Sequence, residues 1–263
     1  MKSSFQWQLY YEANARNLPL IPWKSDAKLT VVERDAIVSS LQKFQLGERS
    51  EGRNLLRRAQ EYAQANNEHA YVEAIRLFIR EEQRHAATLG RFMELEGIPT
   101  IQGNFSDSVF RRLRKFAGLE LSVAVLVTAE IIAKVYYDAI LNATHSSVLQ
   151  AICRQILQDE VAHVTFQCER LACMRMNMPW HSIAVREALH AFLFADTSVV
   201  VWRDHRHAFR AGGFDLRRYW NSCWDEFATA RRMMNPVAYI GVNAFLVREA
   251  GRLGEEITSS AEH

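Results

Sequence analysis

Reading every third and fourth residue from Tyr71 to Phe92 gives Tyr71, Ile75, Phe78, Glu82, His85, Leu89 and Phe92. This is an apolar helical seam broken only by a carboxylate and the imidazole next to it. A second seam, Leu149, Cys153, Ile156, Glu160, His163 and Leu171, repeats the arrangement. Three residues apart on a helix, Glu and His point to one face. An ionised carboxylate set into a core costs several kcal/mol unless it is paired, and a cation shared by the Glu and the His would compensate.

The same periodicity lays out the rest of the chain. Met1 to Lys28 is polar and aromatic, and Pro19 and Pro22 argue against a regular helix there, so an extended arm is expected. Thr30-Val-Val-Glu33 has the form of a capping box and opens a helical pattern running to about Asn66. The second helix spans about Glu68 to Glu96 and stops at Gly97-Ile-Pro99. Ile98 to Asp107 lacks periodicity and, with the basic turn Arg111 to Lys115, is long enough for a crossover along the length of a bundle. A third helix holds Val123, Glu130, Tyr137 and Leu141, and a short link leads to a fourth ending near Met176. About three more helices follow Pro179: Ser182 to about Arg210, Asp215 to Met234, and Pro236 to about Leu253.

Two further acids sit on apolar stripes. Glu48 lies in line with Leu41, Phe44, Gly52, Leu55, Ala59 and Tyr62. Glu51 competes with it: its stripe takes in Asn54 and Arg58, but its 31-residue distance from Glu82 is closer to the 30 between Glu130 and Glu160 than is the 34 from Glu48. Periodicity favours Glu48. Glu130 is the only acid between Leu121 and Tyr137. Two Glu-x-x-His pairs and two single glutamates, one motif from each of four helices, are the donor set of a two-metal carboxylate site in a helical bundle.

Composition narrows the class. Of 263 residues 49% are hydrophobic, with 5 Pro and 11 Gly, which favours an all-α globular chain over disorder or a sheet protein. The 32 Lys+Arg nearly balance the 30 Asp+Glu, and no compact basic face argues for nucleic acid. The four cysteines have no C-x-x-C spacing, so neither a zinc module nor a disulfide framework is indicated, and a reducing compartment is expected. The N-terminus lacks a signal-peptide apolar block, and Leu121 to Ala133 is too short to span a bilayer. The expectation is a cytoplasmic protein that engages neither membrane nor nucleic acid.

The motifs Gly47-Glu48, Glu81-Glu82-Gln-Arg-His85, Ala129-Glu130 and Asp159-Glu160-Val-Ala-His163 resemble the ferritin-like di-iron carboxylate superfamily of ferritins, rubrerythrins, the ribonucleotide reductase small subunit and several oxygenases. The resemblance covers Thr30 to about Met176. It implies a ferritin-like four-helix bundle with a long crossover between the second and third helices. It also implies Glu48 and Glu130 as single-carboxylate ligands, Glu82 and Glu160 as bridges between two metals, and His85 and His163 as caps of one metal each. The expected organisation is an arm over 1–29, the bundle over 30–178, and a helical extension over 179–263 packed on it.

Other polar residues weigh less. Tyr137, two turns from Glu130, is a candidate redox phenol, although a core aromatic with a hydrogen-bonded hydroxyl is the commoner case. Lys134 reads as a salt-bridging or bundle-edge residue, Gln167 as a support for the site or polar filler, and His205 and His207 as non-ligands.

The function expected is a di-iron oxidoreductase that activates O₂ to oxidise or oxygenate an organic small molecule. The cofactor is two Fe, alternatively Mn or mixed Mn/Fe. The expected partners are O₂, the substrate, an electron source that is either a separate electron-donor protein or the substrate itself, and a second copy of the chain in a homodimer. Two other readings compete: a ferroxidase or iron-storage protein, which requires assembly into a shell, and a metal-free helical interaction protein.

Overall fold

The computed structural model describes residues 1–25, 28–49, 52–102 and 118–239. Among the described residues there are eight helices and no strand: α1 (Ser4–Arg16), α2 (Val31–Glu48), α3 (Arg53–Asn66), α4 (His69–Leu95), α5 (Leu119–Ala143), α6 (Ser147–Arg175), α7 (Trp180–Ala211) and α8 (Leu216–Met234). No helix of the described residues is long and apolar enough to cross a membrane.

Most boundaries follow local chemistry. Thr30 caps α2 as a capping box, its backbone N–H donating to Glu33 across 2.6 Å while its hydroxyl accepts from the Glu33 N–H. Ser146 and Asp215 cap α6 and α8 through their side-chain oxygens. The three-residue link Thr144 to Ser146 returns α5 into α6 as a close antiparallel hairpin. α5 is the axis of the molecule. Val123, Val127, Ile131, Tyr136, Tyr137 and Ile140 are buried around its circumference, and it packs on α6, α7, α8 and α3. Burying each such aliphatic side chain contributes roughly 1.5–3 kcal/mol.

Two sequence expectations are corrected. The pattern over 30–66 is not one helix: α2 ends at Glu48, and α3 begins after Gly52, whose φ of +61° is left-handed. Glycine adopts that conformation without strain, and a Cβ there would lie 2.5 Å from Ile79 Cδ1. The N-terminal segment is not wholly extended, because Ser4–Arg16 is a helix with a Ser3/Gln6 capping box, lying along α4. Trp7 and Tyr11 bury its inner face. Glu51, most of the crossover (103–117) and the last expected helix beyond residue 239 lie outside the described residues.

Candidate metal centre

α2, α4, α5 and α6 bring all six sequence-selected donors together. One oxygen or ring nitrogen from each of Glu48, Glu82, His85 and Glu160 lies within 4.8 Å of the others, and the same holds for Glu82, Glu130, Glu160 and His163. The two groups share Glu82 and Glu160. Donors opposite each other about one ion, at roughly 2.0–2.3 Å each, stand about 4–4.6 Å apart, so each group has the dimensions of one cation. All six are buried except Glu82, whose side chain is 16% exposed.

The atoms facing inward have no hydrogen-bond partner. Glu82 Oε1, both oxygens of Glu160, His85 Nδ1 and His163 Nδ1 are buried and unpaired. His163 Nδ1 lies 3.1 Å from Glu82 Oε1, but without the alignment of a hydrogen bond. Leaving one buried polar atom unpaired costs about 1–3 kcal/mol, and five such atoms converging on one spot fit a shared cation. Four carboxylates carry the charge that two divalent ions would neutralise, which makes the residues a fit for a metal pair.

Electrostatics agree. Burial, then the charge of Glu82, holds the Glu48 carboxyl well above the usual range. Burial, then Glu130, does the same to Glu160. Burial alone would lower His163, yet the carboxylates of Glu130, Glu160, Glu81 and Glu82 around it raise it well above an ordinary imidazole. Burial would also raise Glu130, but Glu160 and His163 hold it low. Without cations the cluster can only share protons.

A layer of acids behind the imidazoles escaped the sequence reading. His85 Nε2 on α4 meets Asp159 Oδ2 on α6 at 3.0 Å, and His163 Nε2 on α6 meets Glu81 Oε2 on α4 at 3.0 Å. Each helix therefore orients the other's histidine and leaves Nδ1 facing the cluster. Burial would raise Asp159, but hydrogen bonds from His85 and Gln155, the His85 charge and Asn14 hold its carboxyl well below the ordinary value. The signal was present in sequence as the acid immediately before each motif glutamate. Asn14 of α1 was not a candidate at all, yet it donates to both Glu81 and Asp159.

The remaining candidates are dispersed. Tyr137 donates its hydroxyl to Glu48 Oε1 at 2.7 Å. Gln167 is fully buried with both amide atoms unpaired. Lys134 turns away from Glu130 to pair with Glu226 at 2.5 Å. His205 is buried on Ser40 at 2.7 Å, outside both donor groups.

No protein-family model and no curated protein sequence matches the chain. Solved structures do. A variant of an R2-like ligand-binding oxidase with an aerobically reconstituted Mn/Fe cofactor aligns at TM-score 0.61 and 17% identity, over 89% of this chain and 94% of that one. The form with an aerobically reconstituted Mn/Fe cofactor after a long soak aligns at TM-score 0.60 and 17% identity, over 89% and 93%. The chain therefore has the all-α, ferritin-like fold of these oxidases, the fold that its sequence motifs resemble.

Proposed function

We propose that this chain is a two-metal carboxylate oxidase that uses O₂ to oxidise or oxygenate an organic small molecule. The observation that carries the reading is the pair of overlapping donor groups sharing Glu82 and Glu160, with their inward atoms unpaired. Glu48 and His85 would complete one metal position, and Glu130 and His163 the other, with Glu82 and Glu160 common to both. Carboxylate and imidazole donors suit Fe or Mn, and the structural neighbours that carry Mn/Fe support a mixed pair as readily as two Fe. When bound, the pair supplies the electrons that reduce O₂ and the oxidising power directed at the substrate.

The protein's own part is to hold, orient and exclude. Asp159 and Glu81 fix the two imidazole rings, 5.7 Å apart between centroids, with Nδ1 turned inward. Phe78 stands edge-on to His163 at 4.8 Å, and Ile75 on α4 and Val127 and Ile131 on α5 are wholly buried, an apolar surround that would limit water at the cluster. Tyr137 keeps its proton on the hydrogen bond to Glu48, and we assign to it the redox role among the tyrosines. Gln167, one turn beyond His163, carries a buried amide with neither atom paired. The four free cysteines support the cytoplasmic location. Electrons would come from a separate protein or from the substrate itself.

The test is metal content of protein grown with iron and manganese available, combined with the optical spectrum after reduction and exposure to O₂. About two ions per chain with an O₂-dependent absorption change is the expected result. A stable helical protein without metal would overturn the reading.

A further inference from the structure

Asn14 belongs to α1, which supplies none of the six donors, yet its side chain reaches the acids behind both histidines. Its single amide nitrogen lies 2.7 Å from Glu81 Oε1 and 2.8 Å from Asp159 Oδ1. A carboxamide nitrogen carries two N–H groups, so one goes to each acid and the donor is used up. We propose that Asn14 is a positioning residue for the metal centre, tying Glu81 to Asp159 and through them fixing His85 and His163. The inference rests on the two-metal reading of the cluster.

The connectivity supports this role. Glu81 uses one oxygen on Asn14 and the other on His163; Asp159 uses one on Asn14 and the other on His85. One amide on α1 therefore stands a single carboxylate away from each imidazole. The two acids repel, and the cation beside them is Arg84, 2.8 Å from Asp159 and 3.4 Å from Glu81. Gln155 Nε2 also donates to both Asp159 oxygens at 3.0 Å, but it is the Asn14 amide whose two N–H groups span Asp159 and Glu81. If that bridge is removed, the acids can part and each ring can swing its Nδ1 from the cluster.

Docking of α1 does not need Asn14. Trp7, hydrogen-bonded to Glu169 at 2.7 Å, and Tyr11 are buried and seat the helix against Phe166. Ser4, Trp7, Tyr11 and Asn14 lie along one helical face, so aromatic packing presents the amide to the acids.

Two substitutions test the proposal. Asn14→Asp keeps the shape but replaces both donors with acceptors, and Asn14→Leu removes hydrogen bonding altogether. Each is made in the full chain, alone and with Glu81→Gln, and read by the rate of metal loss to a chelator and by the electron paramagnetic spectrum of bound Mn. In the metal-free chain, solvent exchange of the two histidine Nε2–H protons is followed by NMR. Expected are roughly 10–100-fold faster metal loss with unchanged helix content, an altered Mn spectrum, and faster exchange of both ring protons. The Asn14→Leu effect should also shrink in the Glu81→Gln background, because the two act on one connection. Wild-type release rates and ring exchange in both variants, or an undiminished effect beside Glu81→Gln, would overturn the proposal. If wild-type protein binds no metal, the two-metal reading fails; faster ring-proton exchange in Asn14→Asp would still support the connection, and unchanged exchange would refute it.

Discussion

Tyr137 on α5 donates its phenolic hydrogen to Glu48 on α2 across 2.7 Å, joining the first and third bundle helices at the edge of the donor cluster. Burial first, then the Glu48 charge, pushes the phenol well above its ordinary range, so it is a donor at any working pH. Tyr137→Phe leaves Glu48 Oε1 without that hydrogen bond. The metal position containing Glu48 should weaken by about 1–3 kcal/mol while the fold persists. Titration of the two metal equivalents checks this, and a tyrosyl signal that persists in the variant after O₂ exposure would move the redox role to another tyrosine.

Glu82 belongs to both donor groups and Glu130 to one. Glu82→Ala should therefore strip the protein of both ions and of activity, whereas Glu130→Ala should retain about one ion per chain, held by Glu48, Glu82, His85 and Glu160. Elemental analysis distinguishes the two. Two ions per chain in Glu82→Ala would sink the ligand assignment.

Gly52 is where the sequence reading of the first bundle helix gave way. Periodicity ran unbroken through Leu41, Phe44, Glu48, Gly52 and Leu55, so a continuous helix was the natural inference, yet the chain turns left-handed at Gly52 and restarts as α3. Gly52→Ala should destabilise by about 1–2 kcal/mol from backbone strain alone, with a further penalty for displacing Ile79. Because Glu48 ends the helix before this turn, metal loading should fall as well. Chemical denaturation and metal content read the two effects separately.

What was legible in the sequence follows from the same physics. Seams with a polar pair at core positions are conspicuous, and all six donors converge as their helical phase demands. The supporting acids were harder to see: Glu81 and Asp159 lie one residue round the helix from the seam, where an acid ordinarily faces water, and the packing of α4 on α6, with Asn14 of α1 on both acids, buries them. Helix α1 was hidden by its polar composition, although Ser3-x-x-Gln6 spells a capping box and Trp7, Tyr11 and Asn14 share one face. The fold class needed only periodicity, because four long amphipathic segments, paired in two hairpins and joined by one long crossover, have few alternatives to a bundle.

Gln167 offers a test of the interior beyond His163. A buried amide with neither atom paired is destabilising, and replacing it with an apolar side chain of similar length removes that burden. Gln167→Met should raise the unfolding free energy by about 1 kcal/mol and, if the amide serves the substrate, raise KM. A destabilised variant would mean that the amide has a native partner, such as an ordered water.

Two histidines away from the cluster contribute a loss of stability in acid. Burial, then the charge of Lys43, pushes His205 down to about 4; burial, then Arg175, pushes His190 down to about 4. Both are neutral in the folded protein and titrate near 6.5 when unfolded. Between those values the unfolded chain binds more protons, so their contribution is complete above about pH 6.5 and is lost as pH falls toward 4. Each depression corresponds to about 3 kcal/mol. Urea unfolding of metal-free protein at pH 7.5 and pH 4.5 should reveal a loss of that order per histidine. His205→Asn retains a hydrogen-bonding group for Ser40 but cannot titrate, so the stability lost between the two pH values should shrink by about one histidine's contribution. An unchanged slope would mean that the acid response arises elsewhere, with the carboxylates of the cluster the first to examine.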